Sequence, residues 1–292
     1  MEPTAFMRAI TLLLSFTLIG VVVTGELQET FAPRSPIISR TRLSAEQYES
    51  LSNKLLGKGY RLNYLSGYTI ANEPHFAGIW EPPRLPVNPP QIVEIGMNSS
   101  AYQRHFDDSV SKGYRLAVVN GYTVNNSDQY LAIWNSSPSP PWISRHGMTA
   151  AELQIVFTGL VALGYRGTHL CGYGIHGEAH YAAILEKRNG PPRAAWAGMT
   201  GRMFQERIDV LRAHGYDLID INGYGVQGLD LYAAVWEYRD GMAGEWVERH
   251  GMEHEEYELE QAKHSEAGYT LKILSGYTLN ESDVYAALWV KP

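Results

Sequence analysis

Four groupings of residues in this chain could do chemistry. Ser109-Val-Ser-Lys112 has the Ser-x-x-Lys spacing, which lets a lysine one helical turn away act as base for a serine nucleophile. Cys171 precedes His176 and His180 closely enough for a thiol–imidazole pair, which would also need a third group to orient the base. His176/His180 and His250/His254 stand four residues apart, a spacing suited to two metal ligands on one helix face. Asp107-Asp108 and Glu255-Glu256 supply carboxylates for acid–base work, but neighbours on a helix point to different sides and read as solvated faces.

What these residues can do depends on the elements that carry them, and an internal repeat dictates those elements. Gly-Tyr occurs at Gly59, Gly113, Gly164, Gly215 and Gly268, and again eight residues later at Gly67, Gly121, Gly172, Gly223 and Gly276. Nine residues further on, an aromatic opens a short apolar run: Phe76–Trp80, Tyr130–Trp134, Tyr181–Leu185, Tyr232–Trp236 and Tyr285–Trp289. Gly-Met pairs at Gly96, Gly147, Gly198 and Gly251 lie 17 residues before the first Gly-Tyr, and Arg42-Leu43 takes that place in unit 1. Spacing within a unit never changes, while the period between units varies from 51 to 54. Each unit is therefore one rigid supersecondary structure, and length variation is confined to linkers such as the Pro-rich Pro82–Pro90.

Ser44, Asn98, Thr149 and Thr200 are N-cap residues, and Ser44…Gln47 and Thr149…Glu152 complete capping boxes. A helix of about 14 residues follows. In unit 3 its apolar stripe is Leu153, Val156, Phe157 and Leu160. The first Gly-Tyr glycine ends the helix in the left-handed conformation. An extended segment follows, whose second glycine marks a bulge or a close backbone approach. Polar tips such as Asn125–Asp128 and Asn280–Asp283 turn the chain into the aromatic strand. The fold is thus α+β, with five tandem α-β-β units, or β-α-β-β if Trp142, Trp196 and Trp246 open a further strand. They stack in an arc or a closed ring. Unit boundaries fall at 41–81, 91–135, 142–186, 193–237 and 246–290, after a linker at 26–40. The fifth helix carries Glu260, Gln261 and His264 on its stripe, as a polar capping unit would.

Within this frame the chemistry recedes. Ser109 aligns with Leu55, Leu160 and Leu211 on the packing stripe, and Cys171 with Ser66, Asn120, Asn222 and Ser275 in a slot for small residues. His176/His180 falls across a turn and His250/His254 straddles a helix start, so no catalytic residue, metal ligand or cofactor is assigned. The tyrosines of the second Gly-Tyr, Tyr68, Tyr122, Tyr173, Tyr224 and Tyr277, flank the hairpin tips. They form the candidate ligand row, with packing as the plainer alternative.

Arg8, the apolar stretch Ala9–Val23 and Val23-Thr24-Gly25 have the layout of a secretory signal over residues 1–25, with an uncleaved anchor as the rival reading. Export from a eukaryotic cell makes the sequons at Asn98, Asn125, Asn135 and Asn280 candidate glycosylation sites, whereas in a bacterium they carry no meaning. A chain of 292 residues, 45% apolar with net charge −7, can build a sizeable core and has no basic footprint for nucleic acid. One cysteine excludes an internal disulfide framework and a multi-cysteine zinc site.

Trp-Ile-Ser-Arg-His-Gly-Met-Thr (142–149), Gly-Tyr-Arg-Leu (113–116), Ser-Gly-Tyr (275–277) and Tyr-Ala-Ala-Leu-Trp (285–289) resemble the bacterial tandem repeat family. Those repeats also form the N-terminal region of secreted fungal polyglycine hydrolases. The resemblance spans about residues 41–290 and does not extend to the family's β-lactamase-like catalytic domain. The resemblance therefore does not carry over the family's protease activity. Five intact units, no catalytic constellation and the secretory layout are read as a secreted, non-catalytic repeat protein that recognises an extracellular protein or glycan, with no membrane contact once the signal is cleaved. The alternatives are a serine-type peptidase related to polyglycine hydrolases, or a fragment of one, and a structural surface component.

Overall fold

The Gly-Met, Gly-Tyr and aromatic landmarks mark, in turn, the end of a strand, the end of a helix and the middle strand of a sheet. The computed structural model describes residues 36–83, 89–240 and 244–291, where the same four elements recur five times. Unit 1 contains β1 (Ile38–Leu43), α1 (Ala45–Leu56), β2 (Arg61–Ile70) and β3 (Glu73–Glu81). Unit 2 contains β4 (Gln91–Met97), α2 (Ser99–Ser111), β5 (Arg115–Val124) and β6 (Ser127–Asn135). Unit 3 runs through β7 (Trp142–Met148), α3 (Ala150–Ala162), β8 (Tyr165–Ile175) and β9 (Glu178–Lys187). Unit 4 has β10 (Arg193–Thr200), α4 (Gly201–Ala213), β11 (Tyr216–Val226) and β12 (Leu229–Tyr238). Unit 5 has β13 (Trp246–Met252), α5 (His254–Glu266), β14 (Thr270–Leu279) and β15 (Ser282–Val290).

The unit is therefore β-α-β-β, with a three-stranded antiparallel sheet whose last strand lies in the middle, as in β1-β3-β2. Residues 38–40, assigned to a linker from sequence, belong to β1 and pair with β3. The signal segment 1–25 lies outside the described residues. Ser44, Asn98, Thr149 and Thr200 all cap their helices, and both capping boxes form. The helices are 12 or 13 residues long. The glycine ending each has φ between 80° and 85°, a region that costs a side-chain-bearing residue more than glycine. Both residues of every hairpin turn also have positive φ, from Ala71-Asn72 to Asn280-Glu281. That is the turn whose twist matches the flanking strands.

The helices lie on the sheets through aromatic side chains. Tyr48, Tyr102, Phe204 and Tyr257 pack on the landmark aromatics Phe76, Tyr130, Tyr232 and Tyr285, the last two pairs stacked and the first two tilted. Trp80, Trp134, Trp236 and Trp289 are fully buried. Each buried aromatic removes about 150–250 Å² from water, on the order of 4–6 kcal/mol before entropy is charged against it.

The units close into a ring. The five inner strands β2, β5, β8, β11 and β14 pack against one another, and the small-residue slot links them. The N–H of the second glycine donates to the slot side chain of the next unit: Gly67 to Asn120, Gly121 to Cys171, Gly172 to Asn222, Gly223 to Ser275 and Gly276 to Ser66. The last bond returns from unit 5 to unit 1. The same seam holds Arg42 bidentate on Asp283, with N···O distances of 2.7 and 2.9 Å. Closure removes the ends, so the reading of α5 as a polar cap is corrected. Its polar residues face inward instead: Gln261 accepts from the Trp289 indole at 2.8 Å, while His264 is buried and bonded to Glu260.

Candidate functional site

The inner strands place their hairpin turns around one end of the ring axis, where they rim a funnel of about 520 Å³. The second glycine of each unit makes the close approach that builds its wall. A Cβ at Gly67, Gly121, Gly172, Gly223 or Gly276 would lie 2.3–2.7 Å from the ring of Tyr122, Tyr173, Tyr224, Tyr277 or Tyr68 respectively. The bulges fall elsewhere, some five residues earlier, as between Leu62 and Tyr64 or Gly167 and His169.

The five candidate tyrosines are thus wedged between units and are at most 4% exposed. Tyr68, Tyr173, Tyr224 and Tyr277 bond through their hydroxyls to Tyr285, Tyr130, Tyr181 and Tyr232 of the adjoining unit, at 2.6–3.1 Å. Tyr122 meets Phe76 at that place, and its hydroxyl accepts from Gly96 N–H and donates to Gln129 instead. Burial pushes the Tyr68 and Tyr122 hydroxyls up to about 12 and the other three upward as well. The row therefore locks the ring and offers a ligand the faces and edges of rings rather than free hydroxyls. Above it the wall carries Thr69, Thr123 and Thr278, with Gly174 and Gly225 in the corresponding places. Asn72, Asn126, Gln227 and Asn280 stand at the mouth. Among the described residues, no charged side chain lines the funnel.

Farther from the turns, Tyr64, Val118, His169, Asp220 and Ile273 occupy equivalent positions and are all buried. Tyr64 and His169 come from non-adjacent units, yet their rings lie 6.3 Å apart, which places them across the axis. His169 Nδ1 lies 3.1 Å from Asp220, and Nε2 lies 2.7 Å from the Val119 carbonyl. Two acceptors, one at each ring nitrogen, favour the imidazolium. Burial pushes its pKa down, but Asp220 and Val119 outweigh this and raise it above the ordinary 6.5. Sequence reasoning missed this pair; its one signal was a His and an Asp at matching positions of neighbouring units.

The other candidate groupings do not assemble. Ser109 is buried in the helix packing face, while the Lys112 ammonium is bound to Asp108 at 2.7 Å. The Cys171 thiol is buried and accepts from Gly121 and Asn120, and burial pushes its pKa up to about 12. His176 and His180 line a second cavity with His146 and Asp128. His250 bonds Glu248, and His254 faces Thr41. Among the described residues, no three His, Cys, Asp or Glu side chains form a metal-binding group. Asn98 spends its side chain on its helix cap and Asn135 accepts from Gln91, whereas Asn125 and Asn280 are exposed in the turns around the funnel.

No curated protein matches the chain significantly. A family profile described as "polyglycine hydrolase-like, structural repeat" matches five times, over residues 35–83, 88–137, 139–188, 190–239 and 243–292. The profile describes a structural repeat rather than a catalytic domain, and its five matches follow the five units of the ring. The chain belongs to the polyglycine hydrolase-like structural repeat family.

Proposed function

We propose that this ring is a secreted recognition module that binds an extracellular glycan or protein in the funnel at its turn end. The observation that carries this reading is the lining. Amide, hydroxyl and aromatic groups without a charge suit an uncharged ligand rich in hydroxyls or peptide groups. The turns supply adaptable polar side chains on a rigid ring, the usual placing of binding residues. The tyrosine row serves as the floor, and Asn72, Asn126 and Gln227 make the first contacts.

The test is a binding screen of the purified protein against glycan arrays and extracellular extracts, with hydrolysis of glycine-rich peptides assayed on the same sample. The triple variant Asn72→Asp, Asn126→Asp, Gln227→Glu keeps the turn shape and adds three charges to the mouth. Saturable binding that this variant loses supports the funnel. Binding indifferent to it, or turnover abolished by Ser109→Ala or Cys171→Ala, overturns the reading.

A further inference from the structure

The seams between the helix of one unit and the first strand of the next are not equivalent. At α2/β7, Tyr102 packs on His146 and Phe106 on Trp142, with ring centroids 4.5 and 5.6 Å apart. At α4/β13, Phe204 packs on His250 at 5.1 Å and Arg212 lies 4.0 Å over Trp246. At α5/β1, Tyr257 donates its hydroxyl to Ser39. The α3/β10 seam has smaller residues at these places: Leu153 where Tyr102 and Phe204 stand, and Ala197 where His146 and His250 stand. Arg193 replaces Trp142 and Trp246, and it turns away onto Glu237 at 2.6 Å.

The sheet beneath is reduced as well. Gly167 replaces the leucine found at positions 62, 116, 218 and 271, and Leu185 replaces the tryptophan found at 80, 134, 236 and 289. What results is a groove along α3, made of two adjoining cavities of about 520 and 470 Å³ that share Gln154, Phe157, Ala194 and Ala195. The other four helices bury at least two residues each, but α3 buries none. Ile155, Val161 and Leu163 on and just after α3 are 71, 56 and 64% exposed. Exposed apolar side chains grouped in this way, beside an unfilled groove, mark a surface that a partner covers.

The surroundings say what would cover it. In the other units an aromatic side chain of the chain itself closes the equivalent space, so the groove has room for an aromatic ring from outside. Its far end is lined by Arg166 and by Tyr165, over whose ring Lys187 lies at 5.8 Å. Neither cation has an ion-pair partner among the described residues, in a protein whose net charge is −7. We propose that the α3–β10 groove docks an aromatic side chain carried in an acidic segment of a protein partner. The aromatic ring takes the space vacated by Tyr, His and Trp, and the flanking carboxylates meet Arg166 and Lys187. This site is separate from the funnel and stands or falls independently of it.

The probe is a fluorescein-labelled twelve-residue peptide of Asp, Glu, Gly and one central Trp, titrated by anisotropy against the full chain. The double variant Leu153→Tyr, Ala197→His restores the closed seam. Arg166→Glu reverses the rim charge without touching the core. The expected result is saturable, salt-sensitive binding, weakened at least tenfold by seam closure and about fivefold or more by Arg166→Glu, and lost when the peptide's Trp becomes Gly. Circular dichroism of both variants shows whether either has failed to fold, and Arg166→Glu still tests the site if the double variant has. Binding that survives both variants, binding indifferent to the Trp, or no saturable binding overturns the proposal. So does concentration-dependent self-association that seam closure abolishes, since a second copy would then be the occupant.

Discussion

Gly276→Ala tests whether the ring is closed. The added Cβ would lie 2.6 and 2.8 Å from two carbons of Tyr68 and 3.3 Å from Tyr285. Carbon atoms pack at about 3.5–4.0 Å, so the Tyr68 ring must withdraw by roughly 1 Å. Its hydroxyl is held by Tyr285 at 2.9 Å and by the Arg42 N–H at 2.8 Å, so withdrawal strains or breaks both bonds. Overpacking costs about 1–3 kcal/mol and each weakened hydrogen bond about 1 kcal/mol, for a total of about 3–5 kcal/mol. With an m-value near 3 kcal/mol/M, the urea midpoint should fall by about 1 M or more. Gly172→Ala, whose Cβ would lie 2.4 Å from Tyr224, reports an interior seam of the same kind. Gly159→Ala, in a helix with nothing within 4 Å, is the control and should be neutral or slightly stabilising. If Gly172→Ala is destabilised while Gly276→Ala matches the wild type, units 5 and 1 do not interlock and the closed ring is wrong.

Four further outcomes follow from the seams and the axis. Cys171 should resist Ellman's reagent in the folded protein and react fully in urea, because burial holds its thiol at about 12. Cys171→Ser should stay within about 1 kcal/mol of wild type, as Ser66 and Ser275 fill the same acceptor slot, whereas Cys171→Ala orphans the Gly121 N–H and should cost about 1–3 kcal/mol. The His169–Asp220 pair contributes fully below pH 6.5 and fades as pH rises through the raised folded pKa of His169. Unfolding midpoints between pH 6 and 9 should show that decline in the wild type and lose it in Asp220→Asn; parallel slopes would refute it. Burial pushes the Asp283 pKa up, but Arg42 and Tyr285 outweigh this and hold it below 3.8. The resulting stability is present above pH 3.8 and is lost as pH falls through the folded value. Arg42→Ala, whose wild-type side chain is 43% exposed, should cost about 1–3 kcal/mol and move acid unfolding to higher pH, read by circular dichroism.

Much of the unit was legible in the residues because it rests on local rules. A hydroxyl or amide before a helix, a glycine with positive φ after it and a polar two-residue turn act over a few residues and repeat in register. The stripe Leu153, Val156, Phe157 and Leu160 is a partial failure of the same logic. It packs against the core, but no residue on it is buried. Periodicity reports which face is apolar, not whether a neighbour is large enough to cover it. Here the neighbours are Gly167, Leu185 and Ala197, whose sizes matter only once the units are side by side.

The sequence by itself determined the repeat, the element order, the caps and turns, the equivalence of Cys171 with the small polar slot, and the family resemblance. Only the tertiary structure decided that the ring closes, and that the second glycines serve tyrosines of the next unit. It likewise decided that the Tyr68 row is a lock and that His169 and Asp220 meet near the axis. The reason is one of reach. Caps and turns are settled by atoms a few bonds apart, whereas Gly276 and Ser66 are 210 residues apart and become neighbours only when five small rotations sum to a full turn.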